Sequence, residues 1–137
     1  MSSRLTSLLP ENSLIMARKA SALERILILG SGVHHGASGE LLAKMVASLQ
    51  APSGGVVLEE WSAGIDPSRL ADYRVCVVLG QDLASAFGWK RGGLQDWNGT
   101  RLIVTESLSD LLERPALKRV AWEDLKLVMQ EMGWKNP

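Results

Sequence analysis

Three apolar runs dominate the hydropathy pattern: RILILG at 25–30, RVCVVLG at 74–80 and RLIVT at 101–105. Each is apolar nearly throughout rather than alternating, and the first two run into glycine. A strand that buries both faces reads this way, as in a parallel sheet covered on both sides. VVLEEW at 56–61 predicts a further short strand. After the first strand, SGELLAKMVASLQ (38–50) places Leu41, Leu42, Met45, Val46 and Leu49 at 3.6-residue spacing. That spacing predicts an amphipathic helix, with Ser38 as its cap and APSGG as its stop. DPSRLADY (66–73) opens with the cap-then-proline signature of a short helix. QDLASAFG (81–88) predicts another, ended by Gly88, and KRGGLQDWNGT (90–100) reads as a loop with a turn at Asn98-Gly99. After RLIVT, Ser107 or Ser109 can cap the short turn LSDLLE. The closing helix opens at Pro115, with Leu117, Ala121, Leu125, Val128 and Met132 on one face and Trp122 packed.

Strands alternating with helices imply one three-layer α/β/α domain around a four-stranded parallel sheet. It is expected over residues 25–137, after an N-terminal arm or helix at 1–24, where ENSLIMARKASALER (11–25) has a helical pattern. The 137 residues suit one domain, and 46% apolar with 22% charged is an ordinary globular balance. Ligand sites in such sheets form outside the carboxyl ends of the strands. Those ends lead into GSGVHHGASG, SAGIDPS, GQDLAS and TESLSD.

Fifteen basic and fifteen acidic side chains cancel. A DNA contact would therefore rest on a local patch of Lys90, Arg91, Arg114, Lys118 and Arg119, and is expected to be weak. The lone cysteine, Cys76, allows neither an internal disulfide nor a four-cysteine cluster, and as a small buried residue it suits a reducing cytoplasm. No apolar run reaches the roughly 20 residues of a membrane span. No metal or other cofactor is expected: His34 and His35 are adjacent, and no Cys, Asp or Glu completes a ligand spacing.

The loop at 30–39 is the first candidate site. Gly30, Gly32 and Gly36 can bring backbone N–H groups toward an anion, although the spacing matches neither a Walker A loop nor a GxGxxG fingerprint. His34 or His35 can polarise a bound group. Glu106 and Ser107 follow the last strand, where a carboxylate or hydroxyl can act. Trp89 and Trp97 flank the cationic loop and are candidates for stacking on a base or anchoring a partner.

VTESLSDLLERPALKRVAWEDLKLVM (104–129) resembles the C-terminal motif of the uracil-DNA glycosylase superfamily. Thr105, Ser109, Leu111, Leu112, Pro115, Lys118, Arg119, Trp122, Glu123, Asp124 and Leu125 match that motif in order. RVCVVLGQDLASAFG is similar to the strand and helix before it, and HGASGELLAKM to the entry of the first core helix. The resemblance covers roughly residues 25 to 132. It implies the glycosylase scaffold and DNA or ligand contacts from the matched Ser109, Lys118 and Arg119, with Arg114 of the cationic patch beside them.

The departures fall on the chemistry. The family's catalytic His-Pro pair is replaced by Ser107-Leu108, the first motif's water-positioning segment is missing, and the cysteines of an iron–sulfur cluster are absent. SLSDLLERPALKRVAW also resembles the psi subunits of bacterial DNA polymerase III, short degenerate relatives of this fold, although the arm at 1–19 departs from theirs. The expectation is a non-catalytic module, psi-like, that binds a protein partner or associates with DNA in replication or repair. Two alternatives stand beside it. One is a divergent active glycosylase using His34 or His35 as electrophile, with Glu106 or Asp82 placing water. The other is a small-anion or nucleotide binder at the loop after the first strand.

Overall fold

The computed structural model describes residues 24–62 and 65–134. The helical pattern expected within the N-terminal arm lies outside the described residues up to position 23.

The described elements follow in chain order as β1 (Ile26–Gly30), α1 (Gly36–Ser48), β2 (Val56–Glu60), a 3₁₀ turn (Pro67–Asp72), β3 (Val75–Leu79), α2 (Gln81–Ser85), β4 (Gln95–Trp97), β5 (Thr100–Thr105), α3 (Leu108–Glu113), a second 3₁₀ turn (Pro115–Leu117) and α4 (Lys118–Met132). One sheet joins the strands in the order β2-β1-β3-β5-β4. β2, β1, β3 and β5 are parallel, and β4 pairs antiparallel with β5. Among the described residues the sheet therefore has five strands, not the four expected. The extra strand lies inside the segment read as a loop. Asn98 and Gly99, with φ of 48° and 87°, turn the chain in two residues, and Trp97 pairs with Thr100 across them. A two-residue turn with both φ positive matches the twist of a hairpin.

β1 and β3 are buried at every position because both faces of the sheet are covered. One face is helical. Ile26, Ile28, Val75, Val77 and Ile103 pack there with Leu42 and Leu49 of the α1 region, Leu108 and Leu111 of α3, and Ala121, Leu125 and Val128 of α4. The other face, through Leu27, Cys76, Val78, Leu102 and Val104, is covered by Leu70, Ala84 and an aromatic layer. In that layer Phe87 stacks on Trp89 at 4.6 Å, and Trp61 and Trp97 meet the pair edge-on at 5.4 and 5.5 Å. These separations and tilts are the favoured geometries of aromatic pairs. Trp89 is only 4% exposed, so it is an anchor of this layer and does not stand free to stack on a base.

Cap assignments divide. Ser107 caps α3, its hydroxyl accepting the Asp110 N–H at 3.1 Å. Asp66 caps the first 3₁₀ turn by accepting the Ser68 N–H at 3.0 Å. Ser38 does not cap α1. The helix begins earlier, after His35, and Ser38 lies in its first turn, donating to the carbonyls of Gly32 at 2.7 Å and His35 at 3.0 Å. It thus ties the glycine loop to the helix it leads into. Trp122 is half-buried rather than fully packed, while Ala121, Leu125, Val128 and Met129 carry α4 onto the sheet.

Candidate functional site

In an open α/β sheet the crevice forms where neighbouring strands send their connections to opposite faces. Here that point lies between β1, which leads to α1 on the helical face, and β3, which leads to α2 on the aromatic face. The two strand ends meet tightly. A Cβ on Gly30 would lie 2.9 Å from Leu79 Cβ, so only glycine fits at this end of β1 without a shift. The Gly80 N–H donates to the Thr105 carbonyl at 3.0 Å and joins the end of β3 to that of β5.

Above these ends lies a cavity of about 220 Å³, lined by Ser31, Leu79, Gly80, Gln81, Asp82, Leu83, Ser107, Ser109 and Asp110. It is smaller than the roughly 300–1,000 Å³ of most small-molecule pockets. Among the described residues its polar side chains are hydroxyls, one amide and two carboxylates, with no histidine, lysine or arginine in the lining. Ser107 and Ser109 hold their hydroxyls 3.3 Å apart. Ser107 already spends its oxygen as acceptor on the α3 cap.

The other sequence candidates lie elsewhere. Glu106 forms an ion pair with Arg91, whose guanidinium also approaches the Asp124 carboxylate of α4 at 3.7 Å. Glu106 is therefore held by a cation and is not a lining residue of the cavity. His34 and His35 are both exposed, with rings 6.4 Å apart, and neither lines the cavity. Arg114, just after α3, and Lys118 and Arg119, at the start of α4, are exposed and remote in sequence from the strand ends, and Lys118 lines a different opening. Arg91 is drawn out of the expected cationic patch by its two carboxylates.

The glycine loop holds an anion from its own chain. Side-chain alternation along β2 puts Val56, Leu58 and Glu60 on one side of the edge strand. Glu60, last of the three, reaches the loop: the Gly32 N–H donates to its two carboxylate oxygens at 2.9 and 3.1 Å, and the Val33 N–H to one of them at 3.3 Å. A phosphate or other anion would have to displace this carboxylate. Gly36, with φ of 63°, has open space around it, so its conformation and not crowding favours glycine there. The role of Glu60 was not legible in the sequence, because it acts across 27–28 residues.

A second opening lies on the helical face. α1 rests on α3, whereas α4 rests on β3 and β5, and a groove of about 290 Å³ remains between them. Its lining is largely apolar: Leu41 and Met45 of α1, Leu111 of α3, Ala121, Trp122 and Leu125 of α4, with Lys44 and Lys118 at the edge.

Among the described residues no group of three His, Cys, Asp or Glu side chains is placed to hold a metal, and no helix is long and apolar enough to cross a membrane. Searches against protein-family models and against curated proteins found no match to the chain.

Proposed function

We propose that this chain is a non-catalytic module on a uracil-DNA glycosylase-like scaffold, a psi-like subunit that binds a protein partner in DNA replication or repair. One observation carries the reading. The crevice where that scaffold's chemistry is expected is lined, among the described residues, by hydroxyls, one amide and two carboxylates, with no histidine or other cationic side chain to stabilise a negative leaving base. Four parallel strands between helices, with Leu111 and Leu125 of the matched motif in the core, are consistent with the scaffold. β4 is an addition to the expected sheet.

Losing one oxyanion-stabilising donor lowers a rate by about 10²–10³, and losing a positioned base by about 10²–10⁴ more. Uracil release from single- and double-stranded DNA is therefore expected at background, with Ser107→His failing to restore it. Excision by the unmodified chain, abolished by His34→Ala or His35→Ala, would overturn the reading. The divergent-enzyme alternative draws on Asp82, which does line the cavity beside Ser107. Activity abolished by Asp82→Asn would establish that alternative.

Any DNA contact is weak in this reading. The remaining exposed cations of the expected patch, Lys90, Arg114, Lys118 and Arg119, support at most non-specific binding, with dissociation constants of about 10⁻⁴–10⁻⁶ M at physiological salt.

A further inference from the structure

We infer that the groove between α1, α3 and α4 is the docking site for a short amphipathic, acidic helix of a protein partner. The inference rests on the interaction-module reading above and names the surface and the chemistry of the partner.

Two observations define the occupant. The floor is apolar, with Leu41, Met45 and Trp122 half-buried along it over the closed-in Leu111, Ala121 and Leu125, so the inserting groups must be apolar. The edge is cationic: Lys44 and Lys118 line the opening, and among the described residues no carboxylate does. Nearby acids on α4 are engaged away from it. Glu123 pairs with Lys126 at 3.0 Å, Glu131 with Arg101 at 3.6 Å, and Asp124 faces Arg91. Among the described residues neither Lys44 nor Lys118 has a carboxylate within ion-pair range. The two largest exposures of big apolar side chains among the described residues, Leu112 at 43% and Val120 at 40%, occur on the helices that wall the groove.

An apolar trough flanked by unpaired ammonium groups is complementary to a helix with apolar anchors along one face and carboxylates beside them. At about 290 Å³ the groove has room for a few anchoring side chains and is too shallow to enclose a large cofactor. A nucleic acid would also meet the lysines, but its phosphates would gain nothing from the apolar floor.

The test is a display selection of random peptides of about four helical turns (~15 residues) on the full chain. Binding of a fluorescein-labelled copy of the most enriched peptide is then measured by anisotropy. The expected winners are acidic, with apolar residues at helical i, i+3 or i+4, and i+7 positions. Lys44→Glu with Lys118→Glu should weaken binding roughly tenfold or more. Ala121→Leu, which fills the floor, should abolish it, with thermal melting followed by circular dichroism to verify folding. Should Ala121→Leu unfold the chain, the charge reversals at two exposed positions still decide. The inference is overturned by no enrichment, by basic winners, or by binding indifferent to the charge reversals. Displacement of the peptide by a single-stranded oligonucleotide would also overturn it, as would self-association of the chain that disappears on charge reversal. Uracil release measured on the same preparations separates the two levels: excision refutes the functional reading, whereas no excision and no peptide refutes the groove alone.

Discussion

Replacing Glu60 by alanine tests whether the glycine loop is a ligand site or a closed internal contact. The carboxylate accepts the Gly32 and Val33 N–H groups at 2.9–3.3 Å. A hydrogen bond to a charged acceptor contributes about 1.5–3 kcal/mol when shielded. Glu60 is exposed at a strand end, where water competes, so the set should contribute about 1–2 kcal/mol in all. For 137 residues at roughly 2.1 cal/mol/K each, the unfolding entropy is about 0.29 kcal/mol/K. Glu60→Ala is then expected to lower Tm by roughly 3–7 °C. Glu60→Gln keeps an acceptor and should lose about half as much. The alanine variant also frees two N–H groups that point at one place. Inorganic phosphate should therefore raise its Tm while leaving the unmodified chain unchanged. Urea unfolding followed by far-UV circular dichroism measures the first effect, and thermal melting across a phosphate series the second. A loss below about 0.3 kcal/mol, or equal stabilisation of both chains by phosphate, would refute the reasoning and restore the loop as an anion site.

Leu111→Ala should cost about 2–5 kcal/mol in denaturant unfolding because Leu111 is fully buried, whereas Trp122→Ala, at a half-buried position, should lose only about 1–3. Equal losses would mean that the groove is closed over Trp122. Burial first, and the Glu59 charge second, push the Cys76 thiol from its ordinary 9.0 up to about 12. The native thiol should resist Ellman's reagent until denaturant is added, and its contribution to stability should be full below about pH 9 and fall as pH rises toward about 12. Cys76→Ala should flatten that decline in a pH series of unfolding curves. The Asp66 carboxyl is held below its ordinary 3.8 by the Ser68 N–H. Its contribution is present above about pH 3.8 and lost as pH falls through the native value, so Asp66→Ala should remove that part of the acid dependence.

The parallel core was legible because β1, β3 and β5 are buried on both faces, and burial of that kind leaves an unbroken apolar run. The α1 and α4 stripes were legible for the same reason at helical spacing. β4 was not. Gln95-Asp96-Trp97 is three residues long with no alternation to see, and only the Asn98-Gly99 turn marked it. Start positions also shifted: Ser38 looked like a cap by type, but its hydroxyl donates to carbonyls inside a helix already begun. Ser107 and Ser109 lie beside the crevice, a location legible from the sequence because residues just after a parallel strand must lie at its carboxyl end. The direction of Glu106 was not determined by its position. It turns to Arg91, a partner fifteen residues away whose approach depends on the β4 hairpin. The groove was invisible for a related reason. Each helix advertises its own apolar stripe, but no periodicity records the gap left between α1 and α4.

The aromatic layer has an optical consequence. Trp89 and Trp97 lie edge-to-face at 5.5 Å beside the Phe87 ring, close enough for their excited states to couple. Their near-ultraviolet circular dichroism should carry a strong signature of that one face of the sheet. Trp122 stands on the opposite face, half-buried in the groove, where its emission responds to polarity. The two faces therefore carry separate intrinsic chromophores. Loss of the near-ultraviolet band reports the aromatic face coming apart, while a Trp122→Phe difference spectrum isolates the groove. Without any attached label, the chain can reveal whether its two faces melt together or in sequence.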